Sequence, residues 1–208
     1  PGATLPLAVW DPMVPHLVER GYRAIRYDLP GRGYSSARSR GFDLPSCVQQ
    51  IDELLTGVEI QEPVHIVGLA LGALIATSYA LEHRDRVKSV TLIAPDGMAT
   101  RFSFAEKLVS APVLGDVLLP VFADRILLAR APRYSTRVDV QEFVRQLLLF
   151  ALRGRYFRKA VLATLRSFPI HAGETYYARL AQTGIPTRIV FGNNDQITPA
   201  TAADRLRI

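Results

Sequence analysis

The residues with the most chemical content lie in Gly68-Leu69-Ala70-Leu71-Gly72, where the apolar run Val64–Val67 meets a second apolar stretch of helical character. In the GxSxG form of this pattern, a strand turns so sharply into a helix that the central residue is pushed up at the strand's carboxyl end. Glycines two positions to either side let strand and helix pass each other closely. A Ser, Cys or Asp at the centre would be a nucleophile for acyl transfer. Here the centre is Ala70, flanked by Gly68 and Gly72. A methyl group cannot attack a carbonyl, and GxAxG also occurs in many buried turns, so the surrounding elements must carry the argument.

Those elements alternate in a regular way. Trp10, Val14, Leu17 and Val18 recur at helical spacing up to Gly21, and Tyr22–Tyr27 reads as a strand whose carboxyl end leads into the loop Asp28-Leu29-Pro30-Gly31-Arg32-Gly33-Tyr34-Ser35. Gly31 and Gly33 do not make a dinucleotide fingerprint, because the third glycine and the following helix are missing. Asp43 is a good helix cap ahead of Pro45, and Leu44, Val48, Ile51, Leu54 and Leu55 form an apolar stripe that Gly57 closes. After Pro63 come the Val64 strand, the Gly68–Gly72 turn and a helix to about His83. A strand over Ser89–Ile93 ends at Ala94-Pro95-Asp96-Gly97. Strand and helix in alternation predict an α/β fold with a parallel sheet covered on both faces.

From Met98 to about Tyr177 the alternation stops. Val140, Phe143, Val144, Leu147, Leu148 and Ala151 make one apolar helical face, and Phe157, Val161, Leu162, Leu165 and Phe168 another. Prolines 112, 120, 132 and 169 divide a helical insertion. Sheet logic resumes with Thr187–Phe191, followed by Gly192-Asn193-Asn194-Asp195-Gln196-Ile197-Thr198-Pro199, where Thr198 can cap a last helix with Pro199 in its first position.

The 208 residues, 49% apolar, suffice for one globular domain with an insertion. No apolar run approaches the roughly 20 residues of a membrane span, and no leader or cellular address is readable. The net charge of +6 resides between Gly97 and Tyr176, where twelve Lys or Arg face six Asp or Glu. A solvated helical surface explains this more simply than a patch for anionic partners. Nucleic acid is disfavoured, since no basic run is interleaved with aromatics. The lone Cys47 rules out an internal disulfide and fits packing on a helix.

In order and spacing, four segments resemble the α/β-hydrolase superfamily: Trp10 with Gly21–Asp28, the Asp28–Ser35 loop, the turn at 68–72, and Phe191–Pro199. The resemblance runs from the Pro1-Gly2 turn to the last helix. It implies a mostly parallel sheet formed by residues 1–97 and 178–208, with residues 98–177 as a helical cap. It also implies acyl transfer to water, in which a nucleophile attacks an ester, thioester, amide or activated C–C bond, a His relays the proton, an acid orients the His, and backbone N–H groups hold the oxyanion. Carried over by position, Ala70 stands at the nucleophile, the Leu71 N–H is an oxyanion donor, Gly68 and Gly72 shape the elbow, and Asp195 is the acid. Asp96 is a second acid position and Asp28 ties its own loop together. No metal or organic cofactor is implied.

Three departures accompany the match. Ala70 replaces the nucleophile, no His follows Asp195, and the His-Gly-x that would supply a second oxyanion donor falls before residue 1. Of the histidines, His16, His65 and His83 sit on elements away from the elbow, and His171 is better read as an ordinary loop residue. The chain is therefore expected to be a piece of a longer protein, lacking strands at both ends, and inactive as written. The resemblance also places a strand between the one ending at Asp28 and the one ending at Gly68. Without it, each buried unpaired peptide group costs about 1–3 kcal/mol, so if the chain stands alone the two flanking strands are expected to pair directly or to be bridged by another chain.

Three functions fit these residues: a serine-type hydrolase of small or lipid-like esters, a non-catalytic relative that binds a small apolar ligand, and an interaction module whose basic cap meets a membrane or protein. Tyr134, Tyr156 and Tyr176 line either the substrate side or the core of the cap.

Overall fold

The computed structural model describes residues 1–36, 41–98, 111, 114–195, 197–198 and 200–206. Pro112, Pro199 and the first residues of the expected cap after Met98 lie outside them. Three parallel strands, β1 (Val64–Leu69), β2 (Val87–Ile93) and β3 (Thr187–Val190), form a sheet in the order β1-β2-β3. Leu69 pairs with Ile93, and Ile93 with Val190, so all three strands leave the sheet at one level.

Helix α1 (Val14–Val18) precedes α2 (Leu44–Gly57), and α3 (Leu71–Glu82) leaves β1 directly. Asp43 caps α2 as expected, its carboxylate accepting the Ser46 N–H at 2.9 Å. Leu44, Cys47, Val48, Ile51 and Leu55 face inward, and Leu54 lies at the margin. Helix α3 is apolar all round because it is enclosed: Leu71 through Ala80 are all buried between α2, the sheet and α7 (Gly173–Ala181). Burial of Leu74, Val90 and Leu92 at 0% exposure marks this as the densest part of the core.

Between β2 and β3 the chain forms α4 (Leu114–Arg130), α5 (Val138–Leu152), α6 (Phe157–Ser167) and α7. The stripe Ala123, Leu127 and Ala131 meets Val144, Leu148 and Phe157 in a second core that also takes in Leu5 from the N-terminal segment. Phe168 and Tyr177, expected within the cap, pack instead with the sheet core. The apolar faces read on α5 and α6 are present in this form.

Expectations about several elements are corrected. Tyr22–Tyr27 takes no regular secondary structure, with Tyr22 and Ile25 exposed, and among the described residues β1 is an edge strand. Tyr22–Tyr27 and β1 do not pair with each other. Among the described residues, the sheet is covered mainly on one face. Ile66, Val90 and Leu92 face the helices, whereas His65, Val67 and Val190 on the opposite face are exposed. The first helix is split into a 3-10 turn (Leu7–Trp10) and α1, with Pro12 at the break. The expected last helix is present as a 3-10 helix, Ala200–Leu206.

Candidate active site

The turn at residue 70 is held by its peptide groups rather than its side chain. The Ala70 N–H donates to the Ile93 carbonyl at 2.9 Å, and the Ala70 carbonyl accepts from Ala73 at 2.9 Å and Asp96 at 3.2 Å. These bonds fasten the end of β1 to the end of β2 while α3 is already starting. The cost appears in the backbone: Ala70 has φ 51° and ψ −115°, a conformation that residues with a Cβ rarely adopt. Alanine cannot cap the helix it precedes.

The two glycines explain how strand and helix fit together. A Cβ on Gly68 would collide with the Gly72 carbonyl oxygen, and one on Gly72 would lie 2.6 Å from the Pro1 carbonyl oxygen. Gly2 completes the enclosure, since a Cβ there would sit 3.5 Å from that of Ala70. The Pro1–Gly2 turn therefore packs directly against the elbow. Leu71, the first residue of α3, has no intrahelical acceptor for its N–H, which lies at the positive end of the helix.

Asp195 leaves β3 on the same rim of the sheet as Ala70 leaves β1. Its Oδ1 accepts the Ile197 N–H at 2.7 Å and the Thr198 N–H at 2.8 Å, so the loop orients the half-buried carboxylate. Asp96 is joined to the elbow through its N–H, and its carbonyl accepts the Tyr177 hydroxyl. Beside it, Gly97 and Gly173 pack backbone to backbone, with the Gly173 N–H donating to the Gly97 carbonyl at 3.1 Å.

The histidines fall where their elements put them. His16 is exposed on α1, and His65 lies at the start of β1, the end away from the elbow, with its ring 2.7 Å from the Ser89 hydroxyl. His83 ends α3 and stacks on Tyr79. His171 is exposed between α6 and α7. Of the tyrosines, Tyr134 packs on the cap core, Tyr176 on the sheet core, and Tyr156 is exposed beneath the Arg155 guanidinium.

Asp28 does hold its loop. Its carboxylate accepts the Leu7 N–H at 2.6 Å and the Tyr34 N–H at 2.9 Å, and its carbonyl accepts from Ser35 and Gln50. Arg32 in the same loop is 2% exposed, and burial lowers its guanidinium to about 10. Cys47 is likewise enclosed, its thiol pushed up to about 11 by burial. A surface groove of about 400 Å³ between Phe42 and α6 contains none of the elbow residues, so cavity volume is not what locates this site. No group of three or more His, Cys, Asp or Glu arranged for a metal occurs among the described residues, and none of their helices is long and apolar enough to cross a membrane.

Comparison with known proteins agrees with this geometry. Relatives include the dihydrolipoyllysine-residue acetyltransferase component of the acetoin cleaving system of Cupriavidus necator, 31% identical over 88% of this chain and 47% of its own. A pimeloyl-[acyl-carrier protein] methyl ester esterase of Neisseria meningitidis is 26% identical over 95% of this chain and 61% of its own. The chain thus spans about half to two thirds of the length of these relatives. Among solved structures, an esterase from Exiguobacterium antarcticum superposes with a TM-score of 0.76 over 99% of this chain and 76% of its own at 20% identity. A bromoperoxidase from Bacillus anthracis gives 0.77 over 100% of this chain and 78% of its own, also at 20% identity. The profile of the alpha/beta hydrolase fold matches residues 1–132, and with the strained elbow at the mouth of a parallel sheet this places the chain in the alpha/beta hydrolase family.

Proposed function

We propose that this chain carries the acyl-binding centre of a hydrolase for carboxylic esters or related acyl and C–C bonds, built for nucleophile–His–Asp chemistry and silent at the nucleophile because residue 70 is alanine. The observation that supports this most is the Ala70 backbone, held at φ 51° and ψ −115° although its side chain gains nothing from the position. In this reading a substrate carbonyl sits above residue 70 with its oxygen toward the Leu71 N–H. Negative charge that develops on that oxygen is stabilised there without reorganisation. Asp195 is the acid that would orient an imidazole, and residues 98–177 form the cap over the acyl group. A nucleophile at 70 would add to the carbonyl carbon, and collapse of the tetrahedral oxyanion would expel the alcohol or phenol.

The test is Ala70→Cys. A thiolate needs less help from a general base than a hydroxyl, and the start of a helix lowers its pKa. With p-nitrophenyl butyrate, the variant is expected to release about one equivalent of nitrophenolate and to carry a butyryl group on residue 70, located by peptide mass spectrometry. The unaltered chain should give neither. Acylation at Cys47 alone, or none at all, would overturn the proposal.

The same elbow with a methyl at residue 70 also fits binding without turnover. Saturable association of butyrate esters with the Ala70 chain, measured calorimetrically, is the result that reading requires.

A further inference from the structure

Arg32 belongs to none of the roles above, yet it is almost fully enclosed. Burying a guanidinium is costly unless its N–H groups find acceptors. Here Nε donates to the Ala3 carbonyl at 2.6 Å, Nη1 to the Pro30 carbonyl at 3.2 Å, and Nη2 to the Thr164 hydroxyl at 2.7 Å and the Ala160 carbonyl at 3.4 Å. Thr164, 1% exposed, donates its own hydroxyl hydrogen to Ala160 at 2.9 Å. One rigid plane thus joins three segments: the N-terminal turn, the Asp28–Ser35 loop and cap helix α6. A lysine could not reproduce that fork.

The contacts on either side show what the plane connects. Toward the cap, Gly31 has φ 71° and a Cβ on it would lie 3.0 Å from that of Ala160, so the loop is pressed onto α6. Toward the core, Gly2 adjoins Ala3 and lies against Ala70, while the Pro1 carbonyl lies against Gly72. The Asp28 carboxylate faces the Leu7 and Tyr34 N–H groups, which pins the same loop from below.

We infer that Arg32 is a positioning residue: it locks cap helix α6 to the Pro1–Ala3 turn, so that the seating of the cap sets the position of the turn packed against residue 70. The inference rests on residue 70 being the centre of the site, as proposed above. It concerns the coupling between cap and elbow, which can be present whether or not the elbow can be acylated.

The substitution that isolates the coupling is Thr164→Val, which removes one acceptor of Arg32 from within the cap, far in sequence from both the turn and the elbow. Amide 1H–15N spectra of the otherwise unaltered chain are expected to shift at Gly2, Ala3 and Leu71 by more than a linewidth. Thr164→Ser, which keeps the hydroxyl, should leave those three signals in place, and Arg32→Lys should move them as Thr164→Val does. If the Thr164→Val changes stop at α6 and residues 30–34, or if Thr164→Ser moves the elbow signals equally, Arg32 is only a local packing element and the inference fails. The readout needs no turnover, so a failed acylation of the Ala70→Cys variant would count against the proposed function and leave this result standing.

Discussion

Ala70→Gly is the perturbation whose sign depends most directly on the elbow. A residue with a Cβ held at φ 51° and ψ −115° carries strain of about 1–3 kcal/mol. Glycine relieves it, because the conformation mirrors an ordinary extended one. Against this stand the extra backbone entropy of glycine in the unfolded chain, about 0.5–1 kcal/mol, and the loss of a half-buried methyl, about half of the roughly 0.8 kcal/mol that a fully buried one contributes. The balance is a gain centred on about 1 kcal/mol, or about 2–4 °C in Tm for a chain of this size. At an unstrained turn only the two losses remain, and the same change destabilises by about 1 kcal/mol. Urea unfolding of both chains, compared at equal m-value, reads the difference as a shift in midpoint. A midpoint lowered by the full 1 kcal/mol or so expected of an unstrained turn would refute the claim that the fold stores strain at residue 70, and with it the main support for the proposed function.

Other outcomes test neighbouring parts of the structure. Gly72→Ala places a methyl 2.6 Å from the Pro1 carbonyl oxygen, so the turn must move. The expected result is a loss of about 1–3 kcal/mol with shifted amide signals at Gly2. Leu148→Ala, at 0% exposure in the cap core, should cost about 2–5 kcal/mol by thermal or urea unfolding. Asp43→Ala should cost about 1 kcal/mol near neutral pH. The Ser46 hydrogen bond lowers the Asp43 carboxyl below its ordinary 3.8, so its contribution is complete above the unfolded value and disappears as pH falls through the folded one; parent and variant should converge in acid. Cys47, with its thiol raised to about 11, should resist iodoacetamide at pH 8 in the folded chain, while the thiol introduced by Ala70→Cys should react at least about tenfold faster.

Legibility in the sequence followed the range over which each feature is determined. The elbow could be read because five consecutive residues specify it: Gly68 and Gly72 are needed where strand and helix cross, and the apolar runs on either side name the strand and the helix. The Asp43 cap, the inward stripe of α2 and the faces of α5 and α6 were legible for the same local reason. Tyr22–Tyr27 has the composition of a strand, but composition carries no information on whether a neighbour stands within hydrogen-bonding reach, and here none does among the described residues. Phe168 follows the apolar pattern of the cap and yet packs with the sheet, since a periodic face does not say which of two cores it meets. Arg32 shows the limit most plainly. In sequence it is one arginine among loop glycines, whereas its acceptors on Ala3 and Thr164 are 29 and 132 residues away. A buried cation is tolerated only where folding has already gathered the carbonyls around it, and that gathering is a property of the packed molecule rather than of any segment of it.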